Sequence, residues 1–466
     1  MSQMQTLPEH IIGLAKLPQK ETEISPYENI NSLREVIRES MHNAGLGVRD
    51  PDNPFADIVA PGMTVLLKPN WVLHFNKSGK GIDCMITHPM FVEAVIAEIV
   101  KAKPNKIIIG DAPIQSTIFQ NIVTPRIAER FKRAAGCVDI DIRDFRFHIC
   151  IPGRMTLCTV PNPHRSIRGI LYDLGVDSLI EPLSHQSGSF RNIHYDHQTL
   201  NHRHYPGRHQ YILCPEIIES DIIINLPKLK THRKAGITAA LKNMVGVNGD
   251  KDYLPHHRVG GSAMGGDCYE GRNRLKRTAE YCTDFANQHI DNFWEAPWRL
   301  GASTLLRLNH LFTGDNELEG SWYGNDTIWR MVLDLNRIVL YGAYDGVMAD
   351  TRQRTVYSLT DAIMIGEGLG PLSPEPKYLG LISFAASSAF GDLIHSALMH
   401  FDWRKIPSIF HSFEKYRFPL TSEAPHSARA CYNGIQYTAE DVALKLGIDC
   451  RPAPGWLHHI ELNQEI

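Results

Sequence analysis

The chain has 466 residues, of which 43% are hydrophobic and 21% charged, with a formal net charge of -3 and a pI near 6.8. This is the composition of a globular protein of one large or two closely packed domains, and it disfavours a basic surface that coats nucleic acid. The 9 cysteines are scattered without a C-x-x-C pair, which indicates free thiols in a reducing compartment and no iron–sulfur cluster. No signal pattern opens the chain and no segment approaches the roughly 20 apolar residues that span a bilayer, so we expect a cytoplasmic protein without a transmembrane segment.

The first half of the chain predicts a strand–helix–strand unit after a partly helical lead-in over residues 1–60. "MTVLLKPNWV" is a short apolar strand that runs into Lys68 and Asn70. "THPMFVEAVIAEIVKAKP" has apolar residues at helical spacing, and "NKIIIGDAP" is a second apolar strand that ends at Asp111. Two fully apolar strands around a helix predict a parallel sheet with both faces covered.

The second half continues this α/β pattern. "CPEIIESDIIINLPKLKTH" predicts another strand, "AGITAALKNMVGVNG" the helix after it, and "SLTDAIMIGEGLGPLSPEPK" a later strand that breaks into a Gly/Pro loop. The sequence therefore predicts an α/β core over 61–413, with a mainly parallel sheet, helices on both faces and a helical insertion at about 252–340. Residues 414–466 are expected to form an irregular C-terminal extension.

Polar residues cluster where the predicted strands end. In parallel α/β sheets the ligand crevice lies beyond the carboxyl ends of the strands, so these clusters are expected to share one site, although each could instead solvate its own loop. Lysines facing a helix N-terminus suit a phosphate or carboxylate. The residues expected to bind such an anion are Lys68, Asn70, Asn225, Lys228, Lys242 and Asn243. Those expected to take part in catalysis are His232, Asp111, Glu367 and Lys230.

A divalent metal is a second expectation at this edge. His88, Asp111 and His256 are candidate ligands, with oxygen and imidazole donors that suit Mg, Mn, Fe or Zn. For each histidine alone, a hydrogen-bonded structural role remains the alternative. The chain has no G-x-x-x-x-G-K-[ST], G-x-S-x-G or H-E-x-x-H motif, which excludes the corresponding P-loop, hydrolase and zincin sites.

Four segments resemble the domain-of-unknown-function family 362 (DUF362): "VLLKPNWV", "THPMFVEAVIAEIVKAKPNKIIIGDAP", "DIIINLPKLKTHRKAGITAALKNMVG" and "DAIMIGEGLGPLSPEPKYLGLI". The likeness covers roughly 63–410, and "FAASSAFGDLIHSALMHFD" places Asp392 at the family's aspartate. Many members carry a ferredoxin-type cysteine module that this chain lacks. The long insertion resembles larger relatives from polysaccharide-type gene sets.

The leading hypothesis is a soluble enzyme acting on an anionic small molecule, phosphorylated or carboxylated, with a sugar or nucleotide-sugar among the candidates. Transferase, isomerase and lyase chemistry are not separated by the residues. His232 is expected to be the acid–base group, because an ordinary imidazole pKa near 6.5 suits that role. The alternatives are a non-catalytic accessory protein that binds an anionic metabolite or a partner enzyme, and an iron–sulfur redox protein. A homo-oligomer is also possible.

Overall fold

The computed structural model describes residues 7–18, 25–153, 156–165, 168–186, 188–192, 195, 197–315 and 317–462. The strands of these ranges are β1 (Ile11–Lys16), β2 (Thr64–Pro69), β3 (Lys106–Asp111), β4 (Asp139–Asp144), β5 (His148–Pro152), β6 (Leu157–Pro161), β7 (Ile170–Asp173), β8 (Phe190–Arg191), β9 (His204–Tyr205), β10 (Arg208–Leu213), β11 (Ile222–Leu226), β12 (Lys228–His232), β13 (Gly236–Thr238), β14 (His257–Arg258), β15 (Thr355–Leu369), β16 (Ser373–Ala385), β17 (Arg429–Tyr432) and β18 (Ile435–Tyr437). The α-helices are α1 (Ile30–Asn43), α2 (Pro89–Ile99), α3 (Pro125–Ala135), α4 (His197–Arg203), α5 (Pro215–Glu219), α6 (Ala240–Asn243), α7 (Arg274–Gln288), α8 (Glu295–Thr313), α9 (Ile328–Tyr341), α10 (Ser388–Leu398), α11 (Pro407–Phe410) and α12 (Ala439–Leu446).

One large mixed sheet organises the described chain. Its order is β18-β17-β1-β16-β15-β11-β2-β3-β4, and β12 and β13 join it through β15. The strands from β15 to β4 are all parallel, whereas β15 and β16, β16 and β1, and β17 and β18 pair antiparallel. The predicted α/β class is therefore confirmed. The predicted mainly parallel sheet is confirmed only in part, because antiparallel pairs make up the other side of the sheet.

Alternation along the central strands explains why both faces of the sheet are covered. Val65 and Leu67 of β2 belong to the core cluster that includes α1, α2 and α3. Leu66, between them, belongs to the second cluster, which includes α9. Successive side chains of a strand point to opposite faces, so a fully apolar strand is stable only between two helical layers.

The two ends of the chain also belong to the sheet. β1, from the lead-in, pairs with β16 through Ile12 opposite Ala385, and it pairs in parallel with β17. The C-terminal segment is thus more regular than the sequence indicates, because Arg429–Tyr432 finds its partner more than 400 residues earlier in the chain, at Ile11 to Leu14. Within the described ranges, no helix is both long and apolar enough to cross a membrane.

Candidate functional site

Five lysines gather at the carboxyl-end edge of the parallel strands, and we call them the lysine cluster. They come from β2, from β12 and the turn after it, from α6 and from the segment that follows: Lys68, Lys230, Lys234, Lys242 and Lys251. Four of them are buried, with no more than 7% exposure, and Lys242 is partly exposed. Lys251, Lys234 and Lys68 all act electrostatically on Lys242. The cluster is therefore one group of cations with Lys242 at its surface.

Three asparagines connect the lysines. Lys68 Nζ and Asn70 Nδ2 both donate to Asn243 Oδ1, at 3.1 and 3.0 Å. Asn70 Oδ1 accepts from Lys230 Nζ at 2.7 Å, and Asn243 Nδ2 donates to Asn225 Oδ1 at 2.7 Å. An amide carries both donors and an acceptor, so Asn70 and Asn243 each hold a lysine and a neighbouring amide at once. The network brings together five residues that the sequence assigns to one site.

Asp111 balances the charge of Lys68. Its Oδ1 accepts from Lys68 Nζ at 2.7 Å and from the Ala112 N–H at 3.0 Å, and its Oδ2 accepts from the Trp71 N–H at 2.7 Å. Gly246 lies directly against this pair, because a Cβ there would stand 1.9 Å from Asp111 Oδ1. Both carboxylate oxygens are thus already in use, which suits Asp111 to holding Lys68 more than to accepting a proton from a substrate.

The other four lysines of the cluster lack a close carboxylate to neutralise their charge. Lys234 Nζ is buried without a hydrogen bond, and its ion-pair contact with Glu319 is 4.0 Å long. Lys242 Nζ makes no hydrogen bond or ion pair with the described residues. Burial lowers the pKa of Lys234 to about 8, and burial together with the neighbouring lysines lowers the pKa of Lys242 to about 7. The same causes lower the pKa of Lys230 to about 7 and that of Lys251 to about 8.

Two histidines border the cluster as neutral rings. His232 Nδ1 accepts from the backbone N–H groups of Lys234 and Ala235, at 3.1 and 3.2 Å, which leaves the proton on Nε2. His256 Nδ1 lies 2.8 Å from the Leu254 carbonyl oxygen, so its proton is on Nδ1. Burial, reinforced by the neighbouring lysines, holds the pKa of each well below the usual value. The expectation of an ordinary pKa near 6.5 for His232 is therefore wrong, because a buried ring beside several cations resists protonation.

Lys228 and His88 belong to a separate buried group next to the cluster. Lys228 Nζ donates to Tyr27 Oη at 2.7 Å and lies 3.0 Å from Asp361 Oδ1. His88 stacks on the Tyr27 ring with centroids 3.9 Å apart, and its Nδ1 accepts from the Met90 N–H at 3.1 Å. Lys228 is therefore paired with a carboxylate, as Lys68 is, whereas Lys230, Lys242 and Lys251 have no carboxylate within ion-pair distance among the described residues.

Glu367 lies within the long hairpin of β15 and β16, next to Gly366, which is in register with Lys230, but its side chain makes other contacts. Its Oε2 accepts from the Arg451 N–H at 3.0 Å and lies 3.4 Å from Lys377 Nζ. The sequence indicates that the strand ends near Gly366, whereas β15 continues to Leu369 because its pairing with β16 extends that far.

The three predicted metal ligands, His88, Asp111 and His256, each make hydrogen bonds to different groups, as described above. Among the described residues, no group of three His, Cys, Asp or Glu side chains is placed to hold a metal ion.

Sequence reasoning missed Lys234 and Lys251. Lys234 lies in the turn after β12, two positions beyond His232, so the closeness in sequence to the predicted site residues Lys230 and His232 was a usable signal. Lys251 lies in the Gly-rich connection, and its Nζ reaches the Ala112 carbonyl oxygen at 2.7 Å. No sequence pattern indicates that contact.

Comparisons with known proteins assign the chain to a family but indicate no activity. Residues 156–392, just over half of the chain, match the model of the family described as "Domain of unknown function (DUF362)". A curated relative, the thylakoid-associated protein sll1697 of Synechocystis sp., is 28% identical over 199 residues, which span 42% of this chain and 43% of that protein. A crystal structure of a protein from Thermotoga maritima aligns with 76% of this chain and 54% of its own, at 9% identity and a TM-score of 0.31, a value that supports no argument about the fold.

Proposed function

We propose that this chain, which belongs to the DUF362 family, binds an anionic small molecule at the lysine cluster and acts on it by acid–base chemistry. The observation that carries the proposal is the imbalance of charge. Lys230, Lys242 and Lys251 have no carboxylate within ion-pair distance among the described residues. Several uncompensated ammonium groups in a buried setting are costly unless a ligand neutralises them.

A phosphorylated or carboxylated ligand supplies the missing charge. Lys242 and His256 are partly exposed, so a ligand can reach them from solvent, and the buried Lys234 and Lys251 both act electrostatically on His256. The Nε2–H of His232 adds a neutral donor without adding another charge. A sugar phosphate or nucleotide-sugar is one member of this ligand class, and a cytoplasmic location suits such metabolites.

The acid–base group of the proposal is a lysine. A catalytic acid or base works best with a pKa near the working pH, and Lys242 has a pKa of about 7 together with an Nζ free of hydrogen bonds. Lys230 has a similar pKa, but its Nζ already donates to Asn70 and to the Met85 carbonyl oxygen. Lys242 is therefore the catalytic residue in this proposal, with His232 as a hydrogen-bond donor to the substrate.

Binding without catalysis is the second candidate, and one observation favours it. Asp111, the carboxylate nearest to the asparagine network, has both oxygens occupied by donors, so the site offers no free carboxylate base there. In this case the chain would be an accessory protein that carries an anionic metabolite or presents it to a partner.

The test is a thermal-shift screen of inorganic phosphate, pyrophosphate, sugar phosphates and dicarboxylates, followed by turnover assays of the compounds that stabilise the chain. We expect stabilisation of the wild type, with loss in Lys242→Gln and retention in Lys445→Gln, which changes an exposed lysine paired with Asp441. Turnover lost in Lys242→Gln and in His232→Ala would support the enzyme, and binding without turnover would support the carrier. Equal stabilisation of wild type and Lys242→Gln by every anion would rule out the site.

A further inference from the structure

The helices α7 and α8 form an antiparallel hairpin. Asn273, just before α7, donates from Nδ2 to Asn309 Oδ1 in the carboxyl-terminal half of α8, at 2.7 Å. Near the other end of the pair, Arg299 Nη2 donates to Asn287 Oδ1 at 3.2 Å. One side of α8 is therefore covered by α7 along most of its length, and we call the pair the helical hairpin.

The side of α8 that faces α7 is buried and apolar. Ala302 packs with Ala279 and Cys282 of α7, and Trp298 and Leu305 are partly buried against them. The α8 residues of this group are three or four positions apart, which is the spacing of one helix face. A surface helix packed in this way normally presents polar residues on its other side.

The side of α8 turned away from α7 is apolar as well. Its exposed residues, again three or four positions apart, are Trp294, Pro297, Leu300, Thr304, Leu308 and Leu311. Such neighbours adjoin on the helix surface, so they form a continuous strip, which we call the apolar stripe. The hydroxyl of Thr304 already donates to the Leu300 carbonyl oxygen at 2.8 Å, so this residue adds no unsatisfied polar group.

The apolar stripe is most exposed in the last turn of α8. Leu311 and the adjoining Phe312 are 80% and 75% exposed. Single exposed apolar residues are common on protein surfaces, whereas a continuous exposed strip indicates contact with another molecule. The described chain therefore has one helix whose two apolar sides exceed what α7 can cover.

The charge around the apolar stripe is positive. Each acidic residue of α7 and α8 lies within ion-pair distance of an arginine: Glu280 with Arg277, Asp284 with Arg191 and Glu295 with Arg299, at 3.5, 3.0 and 2.6 Å. Arg274 and Arg307 are exposed and make no ion pair with the described residues. Arg307 is three positions after Thr304 and four before Leu311, so it borders the stripe.

We propose that the helical hairpin binds an anionic lipid surface, with α8 lying in the plane of the membrane and its apolar stripe in the boundary between headgroups and acyl chains. Arg274 and Arg307 contact the lipid phosphates, because the long stem of an arginine lets its charged end stay at the headgroups. Helices that lie in this boundary combine Trp, Phe and Leu side chains with cations in the same way. Trp294 suits the boundary because indole is enriched there.

An anionic lipid surface fits the hairpin better than a second copy of this chain does. A symmetric dimer uses the same patch on both subunits, so it would cover the apolar stripe but bring in the same arginines. Anionic lipids supply both the apolar environment and the negative charge. This inference uses none of the residues of the lysine cluster, so it does not rest on the proposed function.

The test is co-sedimentation of the full chain with vesicles made of equal parts phosphatidylcholine and phosphatidylglycerol. Vesicles of phosphatidylcholine alone are the comparison. We expect at least tenfold tighter binding to the anionic vesicles, and we expect added salt to weaken that binding because it screens the surface charge.

The first variant removes the apolar contact. Leu311→Gln combined with Phe312→Gln changes two side chains that are already exposed, so thermal unfolding should be unchanged while affinity for the anionic vesicles falls at least tenfold. Leu444→Gln is the matched control, because Leu444 is a leucine on α12 that is 63% exposed. That variant should bind the vesicles as the wild type does.

The second variant removes the charge. Arg274→Gln combined with Arg307→Gln should weaken binding to the anionic vesicles on the order of tenfold, since each cation near an anionic surface contributes to the attraction. Arg126→Gln is the matched control, because Arg126 is an exposed arginine in the first turn of α3, as Arg274 is in the first turn of α7. Its vesicle affinity should equal that of the wild type.

The outcomes that overturn the proposal are distinct. The wild type would fail to sediment with the anionic vesicles, would sediment equally with phosphatidylcholine alone, or would be matched in affinity by the folded Leu311→Gln, Phe312→Gln variant. Leu300→Gln takes the place of that variant if it does not fold. A dimer in sedimentation velocity that is lost in the same variant, without vesicle binding by the wild type, would assign the apolar stripe to a second copy of the chain instead.

Discussion

The carboxylate of Asp392 accepts a 2.7 Å hydrogen bond from the backbone N–H of Ala240, the first residue of α6. Its other oxygen accepts from the Leu241 N–H at 2.9 Å. The next two residues of this short helix are Lys242 and Asn243, so a buried charge on α10 fixes the helix that supplies two members of the candidate site. A four-residue helix has little stability of its own, and Asp392 satisfies the N–H groups that its first turn leaves free.

Replacing Asp392 with Asn should therefore loosen α6. Since an amide cannot accept both backbone hydrogen bonds as a carboxylate does, we expect the free energy of unfolding to fall by about 2 kcal/mol. Phosphate binding at the lysine cluster should weaken as well. Urea denaturation and a phosphate titration measure the two effects.

Ser383→Ala is the matched control for Asp392→Asn. Asp392 also lies 3.1 Å from His395 Nδ1, and His395 Nε2 lies 2.6 Å from Ser383 Oγ, so Ser383 is at the far end of the same buried chain. Its removal should cost about 1 kcal/mol and leave phosphate binding unchanged. If both variants weaken phosphate binding equally, α10 does not position α6 through Asp392.

Lys234→Met should make the ligand-free protein more stable. Lys234 buries an ammonium group that has no hydrogen bond, and methionine has a similar shape without the charge. We expect the free energy of unfolding to rise by about 1 kcal/mol while anion affinity falls. Lys276→Met is the control, because Lys276 Nζ is equally buried but paired with Asp315 at 2.7 Å. That variant should lose stability; a loss of stability in Lys234→Met as well would contradict the prediction.

The sequence was most informative about the parallel part of the sheet. Lys68 and Asp111 end two apolar strands, and parallel strands that are neighbours place their ends together, which is where the structure has the 2.7 Å contact. The position of Glu367 could not be predicted from the end of a strand in this way. The Gly and Pro residues around it indicate a loop, while antiparallel pairing with β16 keeps the segment extended and carries Glu367 to Lys377 and Arg451.

The sequence did not allow us to predict which lysines are paired with carboxylates, or which distant side chain caps a helix. The sequence shows how many lysines follow the strands, but whether a lysine is paired depends on contacts such as Lys228 with Asp361, which are more than a hundred residues apart. The contact of Asp392 with Ala240 spans 152 residues. Periodicity describes neighbours along one element, so it carries no information on which distant side chain completes a helix end.

Lys242 should make stability depend on pH in a characteristic direction. Its pKa is lowered to about 7 in the folded chain, against an ordinary value near 10.4 when unfolded, so between these values the unfolded chain binds more protons. The free energy of unfolding then rises with pH across that window, and the penalty is fully present below pH 7. Lys242→Gln lacks this contribution. We expect its stability advantage over the wild type to shrink by about 1 kcal/mol between pH 6.5 and 8.5 in urea denaturation; a constant difference would show that Lys242 titrates normally.

Asp111→Asn and Glu367→Gln should distinguish the roles of two carboxylates that the sequence places in one site. Asp111 neutralises the fully buried Lys68, so its replacement leaves that charge unpaired and should lower the free energy of unfolding by about 3 kcal/mol. The disturbed Lys68 should also weaken phosphate binding through the asparagine network.

Glu367 lies in the hairpin against Lys377 and Arg451. Because the side chain of its partner Lys377 is 36% exposed, Glu367→Gln should lower the free energy of unfolding by less than about 1 kcal/mol. Phosphate affinity should be unchanged in Glu367→Gln. A tenfold loss of affinity in that variant would mean that the hairpin closes over the lysine cluster when the anion binds, and that Glu367 is part of the site after all.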